Sequence, residues 1–308
     1  MQILVTGSAG FIGSHLVDRL LQEGHSVIGM DNLITGQRAN FAHLQSNPNF
    51  QFIEHDITQP LPPLPATPQA IINLACPASP IDYQTIPLET LWVSAMGTKN
   101  LLDLARAQKA RFLHASTSEV YGDPLIHPQT EDYWGNVNPI GPRSCYDEGK
   151  RFAESLIVNT QKIHGLDARI FRIFNTYGPR MRQNDGRVIP NFITQALSGA
   201  PLTIYGAGDQ TRSFCYVTDM VDGILKILMA EKFSGPINLG NPNEITILEL
   251  AKKVISLTKS SSTVAHKELP TDDPKIRQPD ITKAKTELGF EPVVQLEEGL
   301  ERTVVGFG

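Results

Sequence analysis

A tyrosine and a lysine four positions apart carry the clearest chemistry in this sequence. The run Tyr146-Asp147-Glu148-Gly149-Lys150 has the pattern Y-x-x-x-K. On a helix, residues four apart share a face, so the Lys150 ammonium can lie beside the Tyr146 phenol. A free phenol has a pKa of about 10, and a neighbouring cation lowers that pKa. We therefore predict that Tyr146 accepts a proton from a substrate hydroxyl, and that Thr117 orients the same hydroxyl.

Three glycines near the start of the chain predict a phosphate-binding turn. Gly7, Gly10 and Gly13 follow an apolar run, and Phe11-Ile12 opens a helical pattern. Glycines here permit a tight turn and close approach of the backbone to a pyrophosphate, while the helix N-terminus faces the phosphates. An ordinary strand–helix turn is the alternative. Y-x-x-x-K alone occurs on many helices, and a dinucleotide site earlier in the chain is what favours its catalytic interpretation.

Two carboxylates at strand ends predict how the dinucleotide is held. Asp31 ends the second apolar run, 18 positions after Gly13. A carboxylate there accepts both ribose hydroxyls and repels a 2′-phosphate, which favours NAD over NADP as the cofactor. Asp56 follows the third run and is predicted to contact the adenine, with a turn-forming role as the equal alternative. Further cofactor contacts are expected from residues after these runs, namely Asn32, Thr35, Gly36, Ile57, Leu74 and Ala75.

Alternating strands and helices must position these residues. The predicted strands are Ile3–Thr6, Ser26–Asp31, Gln51–Glu54, Ala70–Leu74, Arg111–Ser116 and Ala168–Phe174. The predicted helices between them include Ile12–Gln22, Leu88–Gln108 and Tyr146–His164. Such alternation indicates an α/β fold with a parallel, doubly wound sheet. The strands are nearly continuous apolar runs, as expected for strands covered on both faces.

The second half predicts a smaller domain interleaved with the first. Helices are expected at Val217–Ala230 and Leu248–Leu257, and Pro236–Leu239 is predicted to add a strand to the main sheet. The segment Gln59–Gln69, with five prolines, is predicted to be a stiff loop. We assign residues 1–174 to the cofactor domain, to which 210–240 returns, and residues 175–209 and 241–308 to the domain that binds the substrate.

Composition narrows the class of protein. The formal charge of −5 gives no basic footprint for nucleic acid, so nucleic-acid binding is not expected. Cys76, Cys145 and Cys215 are too few and too far apart for a disulfide framework, which favours a reducing compartment. No apolar run approaches the roughly 20 residues that span a bilayer, and no leader precedes Gln2. The eight histidines have no ligand spacing. We expect a cytoplasmic protein without a membrane segment or metal site.

Several motifs together resemble one enzyme family. They are Thr117-Ser118-Glu119-Val120-Tyr121-Gly122, Tyr146-Asp147-Glu148-Gly149-Lys150-Arg151, Asn184-Asp185-Gly186-Arg187, Gln210-Thr211-Arg212 and Asp272-Asp273-Pro274-Lys275-Ile276-Arg277. The set is similar to the UDP-glucuronate decarboxylases, extended short-chain dehydrogenases/reductases with a Rossmann-type fold that make UDP-xylose. The similarity runs from Met1 to about Leu300.

The resemblance implies a reaction and its active site. The family's catalytic threonine, glutamate, tyrosine, lysine and late arginine map onto Thr117, Glu119, Tyr146, Lys150 and Arg277. NAD oxidises C4 of the sugar, the carboxyl group β to the new ketone leaves as CO₂, and the ketone is then reduced. For Glu119, a structural role in the loop is the alternative.

A UDP-sugar carries a diphosphate and, here, a carboxylate, so arginines must converge on it. Arg187, Arg212 and Arg277 lie in loop-like contexts and match the family, whereas a solvated surface position is the usual role of a single arginine. Asn175 and Tyr205 are expected as further contacts, with plain packing as the alternative for Tyr205.

One stretch departs from the family pattern. A Lys-Thr-Asn-like sequence is expected inside Leu88–Gln108, with its lysine near the substrate, but this chain has Trp92-Val93-Ser94. Because of this departure, two alternatives stay open: an enzyme with weakened activity, or a sensor that binds NAD and nucleotide sugar without turnover. A UDP-sugar 4-epimerase or 4,6-dehydratase is the other alternative. The family commonly forms homodimers through the two long helices, which here are Leu88–Gln108 and Tyr146–His164.

Overall fold

The computed structural model describes residues 1–268 and 276–307. The strands in these ranges are β1 Gln2–Thr6, β2 Ser26–Asp31, β3 Phe50–Glu54, β4 Ala70–Asn73, β5 Arg111–Thr117, β6 Ala168–Ile173, β7 Thr176–Tyr177, β8 Leu202–Tyr205, β9 Thr211–Ser213, β10 Cys215–Tyr216, β11 Ile237–Leu239, β12 Glu244–Thr246 and β13 Val264–Lys267. The helices are α1 Phe11–Gln22, α2 Pro80–Thr85, α3 Pro87–Trp92, α4 Thr98–Gln108, α5 Ser144–His164, α6 Val188–Leu197, α7 Val217–Met229, α8 Ile247–Thr258, α9 Thr282–Leu288 and α10 Leu296–Val305. No α-helix within these ranges has the length and apolar character needed to cross a bilayer.

Seven parallel strands form the central sheet in the order β11-β6-β5-β4-β1-β2-β3. Reading from β3, the order 3-2-1-4-5-6 is that of a doubly wound Rossmann sheet, with β11 added beyond β6. The predicted α/β fold class is confirmed. The predicted strand at 236–239 is present too, because Ile237–Leu239 pairs in parallel with Phe171–Ile173.

Strand residues alternate between two apolar cores, one on each side of the sheet. In β1, Ile3 and Val5 belong to one buried cluster and Leu4 belongs to the other. Successive side chains on a strand point to opposite faces, so a strand covered on both sides must be apolar at every position. This packing explains why the strands were recognisable as continuous apolar runs.

The later elements pack into the same core as the sheet. Phe192 of α6, Ile204 of β8 and Leu250 of α8 share a buried cluster with Val5. Three two-stranded pairs, β7 with β10, β9 with β12 and β8 with β13, hold the chain outside the main sheet. The division into a cofactor domain and a substrate domain stays a prediction.

The predicted helix at 88–108 is interrupted by a different geometry. Helix α3 ends at Trp92, a π-helical turn spans Val93–Gly97, and α4 follows directly. Such turns bulge a helix locally and are frequent at functional sites. Here the bulge lies against α5, because a side-chain carbon built on Gly149 would lie 3.1 Å from the Ser94 hydroxyl oxygen. The departure from the family pattern therefore falls where the interrupted helix packs closely against α5.

Candidate active site

The site begins at the carboxyl ends of β1 and β4, where the strand order of the sheet reverses direction. These strands are neighbours in the sheet although they are far apart in the chain, so their connections leave toward opposite faces and open a crevice at the carboxyl ends. The glycine turn follows β1, and Leu74 follows β4. Both line the cavities that begin here.

The backbone at the glycine turn is packed too tightly for side chains. A side-chain carbon on Gly7 would lie 2.7 Å from the Leu74 carbonyl carbon, and Gly7 has φ +72°. A side-chain carbon on Gly13 would lie 2.0 Å from the Gly7 carbonyl oxygen. Gly10 precedes α1 without any side chain to cap it, which leaves the first helical N–H groups for a ligand. The turn has the form that a dinucleotide pyrophosphate requires.

A chamber of about 440 Å³ extends from this turn past β2 and β3. It is lined by most of the residues predicted to hold the cofactor, namely Gly7, Gly10, Asp31, Asn32, Thr35, Asp56, Ile57, Leu74 and Ala75. Phe11, Ile12 and Gly13 line the neighbouring cavity instead. Gly36 lines neither cavity. A side-chain carbon there would lie 2.9 Å from a carboxylate oxygen of Asp31, so this glycine makes room for Asp31.

Asp31 is held in place by the backbone. Its carboxylate accepts hydrogen bonds from the N–H groups of Ala9, at 3.0 Å, and Leu33, at 2.8 Å. Burial raises the pKa of Asp31, although these two hydrogen bonds oppose the shift. Each carboxylate oxygen has a second lone pair, so the fixed carboxylate retains acceptors for a ribose diol.

Asp56 forms a turn and also lines the chamber. Its carboxylate accepts the Thr58 N–H at 2.8 Å and the Asn32 side-chain amide at 3.3 Å. Burial alone would raise the pKa of Asp56, but the hydrogen bonds with Thr58 and Asn32 lower it. Asp56 therefore forms the turn and lines the chamber at the same time. Its contact with the adenine stays a prediction.

The predicted catalytic residues meet in a second cavity of about 570 Å³, which shares Gly7, Gly10, Thr35, Leu74 and Cys76 with the first. Thr117 ends β5, one residue later than the predicted strand end. Tyr146 and Lys150 lie in the first two turns of α5, which begins at Ser144. All three are at least 94% buried, with exposed fractions of 6% for Thr117 and Tyr146 and 4% for Lys150. Thr117 hydrogen-bonds the Tyr146 phenol.

The pKa of Tyr146 is raised by the groups around it, whereas the sequence predicted that Lys150 would lower it. The Lys150 ammonium donates to the Ala115 carbonyl at 2.8 Å and lies 6.0 Å from the centre of the Tyr146 ring. Burial raises the pKa of Tyr146 well above its usual value, Cys76 adds to the rise, and the Thr117 hydrogen bond opposes it. A further positive charge in the cavity would lower this pKa, and the oxidised nicotinamide of NAD carries one.

Glu119 is clamped between two arginines. Its carboxylate accepts a hydrogen bond from Arg143 at 2.7 Å and forms an ion pair with Arg277. Burial alone would raise the pKa of Glu119, but the charges of Arg277 and Arg143 outweigh it and lower the pKa to about 2. Glu119 is therefore ionised at neutral pH and accepts hydrogen bonds without donating a proton.

Arg277 is the most enclosed member of this cluster, with 3% of its side chain exposed. It donates to the Gly122 carbonyl at 2.8 Å. Its Nε–H is buried and finds no partner among the described residues. A buried unsatisfied donor is costly, and an incoming anion would relieve that cost. The preceding motif residues 272–275 lie outside the described ranges.

The other residues predicted to bind substrate line the same cavity, namely Asn175, Arg187, Tyr205 and Arg212. Arg187 precedes α6 and is held by both carboxylate oxygens of Asp185, at 2.5 and 2.7 Å. Arg212 lies in β9 and Tyr205 ends β8, so the loop-like context predicted for Arg212 is wrong.

Sequence reasoning missed two residues of the site. Tyr83 of α2 stacks on Tyr146 with ring centres 5.0 Å apart and an interplanar angle of 5°, and its buried hydroxyl has no partner among the described residues. Arg143, which clamps Glu119, lies three residues before Tyr146. The adjacency of Arg143 to the Y-x-x-x-K motif was a usable signal, whereas nothing in the sequence marks Tyr83.

Trp92 lines the cofactor chamber rather than the catalytic cavity. The chamber wall includes Glu89, Trp92, Val93 and Met96, which recur at helical spacing. The indole is 57% exposed, so it forms the rim of the chamber. The family lysine expected near the substrate is therefore replaced here by an apolar ring beside the predicted cofactor.

Comparison with known proteins agrees with this geometry. The family model described as GDP-mannose 4,6 dehydratase matches residues 4–303. UDP-glucuronic acid decarboxylase 5 of Arabidopsis thaliana is 56% identical over 301 residues, covering 97% of this chain and 87% of that protein. UDP-glucuronic acid decarboxylase 1 of Danio rerio is 53% identical over 306 residues, covering 99% and 72%. The crystal structure of UDP-glucuronic acid 4-epimerase from Bacillus cereus, in complex with UDP-glucuronic acid and NAD, has a TM-score of 0.88 at 32% identity, covering 99% of this chain and 98% of that one.

The rim position of Trp92 makes it a reporter of cofactor binding. We expect added NADH to quench the tryptophan fluorescence, because indole emission overlaps nicotinamide absorption and Trp92 borders the chamber. The Trp92→Phe variant should lose most of this quenching. The matched control is Trp134→Phe, since Trp134 is 90% exposed and lines neither cavity. Equal quenching in the two variants would contradict the assignment.

The raised pKa of Asp147 predicts that the folded protein loses stability as pH rises toward neutrality. Burial raises its pKa from 3.8 to about 7, and the Glu119 charge adds to the rise. The folded state then keeps a proton that the unfolded state releases, so the stability supplied by protonated Asp147 is lost as pH rises from about 4 to about 7. Asp147→Asn should therefore be more stable than wild type near pH 8, on the order of 2 kcal/mol, with a smaller gain near pH 5.

Calorimetric melting at both pH values tests the Asp147 prediction. Glu301→Gln, at an exposed site, serves as the control for removal of one charge. A gain of equal size at both pH values would refute the assigned titration.

Proposed function

This chain belongs to the GDP-mannose 4,6-dehydratase family, and from that premise we propose that it is an NAD-dependent UDP-glucuronate decarboxylase that forms UDP-xylose. The observation that carries the proposal is the buried cluster of Glu119, Arg143 and Arg277 in the same cavity as Tyr146. Two cations and one anion leave a net positive charge for a sugar carboxylate. The phenol beside them meets the need for a base at the neighbouring hydroxyl.

When bound, NAD would supply a reversible acceptor for the hydride at C4 of the sugar. The cavity residues handle the protons and the sugar oxygens. Tyr146 takes the proton of the C4 hydroxyl, and Thr117, which hydrogen-bonds that phenol, keeps the hydroxyl in line. Lys150 is fixed by the Ala115 carbonyl, so its charge stays on one side of the phenol throughout.

Loss of CO₂ needs only the ketone and a dry site. The carboxyl group is β to the C4 ketone, so the electrons of the broken C5–C6 bond flow into the C4 oxygen. The protonated phenol of Tyr146 then donates a hydrogen bond to that oxygen and stabilises the developing charge. Burial of Thr117, Tyr146 and Lys150 keeps competing water away from this oxygen.

The Glu119 clamp suits the remaining step, protonation at C5. Glu119 is ionised, so we assign it the orientation of a water molecule rather than the direct transfer of a proton. Glu119 also offsets part of the positive charge of Arg143 and Arg277. A carboxylate that is held too strongly by arginines resists decarboxylation, because its charge must leave it in the transition state. The ion pairs therefore let the site bind the carboxylate without trapping it.

Other residues of the same cavity suit the nucleotide. We assign Arg187 and Arg212 to the diphosphate, since planar guanidinium groups pair well with phosphate oxygens. Arg187 is already oriented by Asp185, which lowers the entropy cost of binding. Asn175 and Tyr205 line the same cavity and are assigned to the nucleotide sugar as well.

Three finer proposals accompany the main one. We place cofactor binding in residues 1–174 and 210–240 and nucleotide-sugar binding in 175–209 and 241–308. We propose a homodimer through the helices of 87–108 and 144–164, supported by the exposed Leu88, Leu91 and Phe152 on α3 and α5. We also propose a cytoplasmic location, supported by the few unpaired cysteines.

Product analysis tests the reaction. Incubation of the purified protein with UDP-glucuronate and NAD should release CO₂ and form UDP-xylose. Tyr146→Phe should keep NAD and UDP affinity but lose about 10²- to 10⁴-fold in turnover, the usual contribution of a general base. A product that retains the carboxylate would identify an epimerase instead. Binding of both ligands with no conversion would identify a sensor.

Glu119→Ala separates catalysis from binding. We expect kcat to fall about 10²-fold, as for removal of one preorganised polar group, while affinity for UDP stays within a few fold. Isothermal calorimetry with UDP and CO₂ release with UDP-glucuronate measure the two effects. If UDP affinity fell while kcat held, Glu119 would be a binding residue.

A further inference from the structure

Two segments that sequence reasoning did not connect meet at the catalytic cavity. Arg182, in the loop of residues 178–187, forms an ion pair with Asp82 of α2, 100 positions earlier in the chain. The exposed fractions of the two side chains are 22% and 16%, so water only partly screens the pair. Ser79 orients Asp82 by a hydrogen bond of 2.8 Å to its carboxylate.

A second contact lies directly beside the ion pair. Gly186 has φ +87°, and a side-chain carbon there would lie 2.5 Å from Cδ1 of Ile81. The Ile81 side chain thus packs against bare backbone of the loop. We call the ion pair of Asp82 with Arg182 and the contact of Ile81 with Gly186 the latch. All four residues line the catalytic cavity.

The latch joins the two halves of the site. On one side, α2 carries Tyr83, whose ring stacks on the proposed base Tyr146. On the other side, the loop ends at Arg187, which is proposed to hold the diphosphate. Separation of the latch would therefore move a wall of the sugar pocket away from the residues that hold the nucleotide.

We propose that Asp82 and Arg182 are positioning residues that keep the decarboxylated ketone in the cavity until it is reduced. This inference rests on the proposed function. After CO₂ leaves, the site holds a UDP-4-keto-pentose, and the hydride taken from C4 resides on the cofactor. If the ketone dissociates before it is reduced, the hydride removed from C4 stays on the cofactor. Each ketone that escapes therefore leaves one reduced cofactor on the protein. Retention therefore decides whether the cofactor is regenerated.

Charge variants of the latch test the proposal. Asp82→Asn and Arg182→Gln should each raise the fraction of ketone released per CO₂ roughly fivefold and speed dissociation of UDP by a similar factor, in line with loss of a partly shielded ion pair. Deuteride trapping with mass spectrometry measures the free ketone, near-ultraviolet absorbance measures NADH left on the protein, and stopped-flow measures UDP release in the absence of turnover.

The double variant Asp82→Glu with Arg182→Lys keeps each charge beside its present neighbours, Arg187 and Asp185, and should hold both values near wild type, which loss of packing alone would not do. Glu291→Gln, in the exposed pair with Lys285, is the control and should change neither value. In wild type, raising the salt concentration should increase ketone release, because ions screen the partly exposed pair. This last measurement needs no variant to fold.

The outcomes are distinguishable. Unchanged ketone release and UDP dissociation in both single variants and at high salt would overturn the latch while leaving the decarboxylase proposal intact. Ketone release from the Asp82→Glu with Arg182→Lys variant equal to that from the single variants would also overturn it. Absence of CO₂ from wild type would instead defeat the proposed function itself.

Discussion

The pairing of buried Glu119 with Arg143 and Arg277 is the constraint on which the site depends. A carboxylate and two guanidinium groups in a water-poor cavity are tolerable only when they are paired with one another, because an isolated buried charge costs several kcal/mol. Arg143 immediately precedes α5, Glu119 lies in the 3-10 turn that follows β5, and Arg277 comes from the C-terminal part of the chain. One electrostatic requirement therefore fixes the catalytic helix, the central sheet and the substrate side relative to each other.

The same requirement links stability to chemistry. Asp147 lies beside this cluster, and burial together with Glu119 raises its pKa to about 7, so the local charge balance changes near neutral pH. Tyr146 shows the complementary effect, since burial raises its pKa and the groups of the described residues do not reverse the rise. The positive charge of the cofactor would lower that pKa, which would tie proton removal by the proposed base to the presence of the hydride acceptor.

The sheet and much of the site were predictable because they depend on local pattern. Continuous apolar runs predict buried parallel strands, and parallel strands bring their carboxyl ends together, so Asp31, Leu74 and Thr117 could be placed near one crevice from sequence alone. The stack of Tyr83 on Tyr146 and the pair of Asp82 with Arg182 span 63 and 100 positions and follow no period. The π-helical turn at Val93–Gly97 was likewise missed, because it arises from packing of α3 and α4 against α5.

Trp92 shows how a departure from a family pattern acts through position. Judged by residue type alone, replacing a lysine with tryptophan removes a charge from the substrate and weakens turnover. In the fold, however, Trp92 borders the cofactor chamber, while Arg143, Arg187, Arg212 and Arg277 all line the catalytic cavity. A cavity lined by six arginines does not depend on one more cation, whereas an apolar ring at the chamber rim adds contact area to a cofactor that must stay bound between half-reactions. The substitution therefore bears on retention of the cofactor more than on recognition of the sugar.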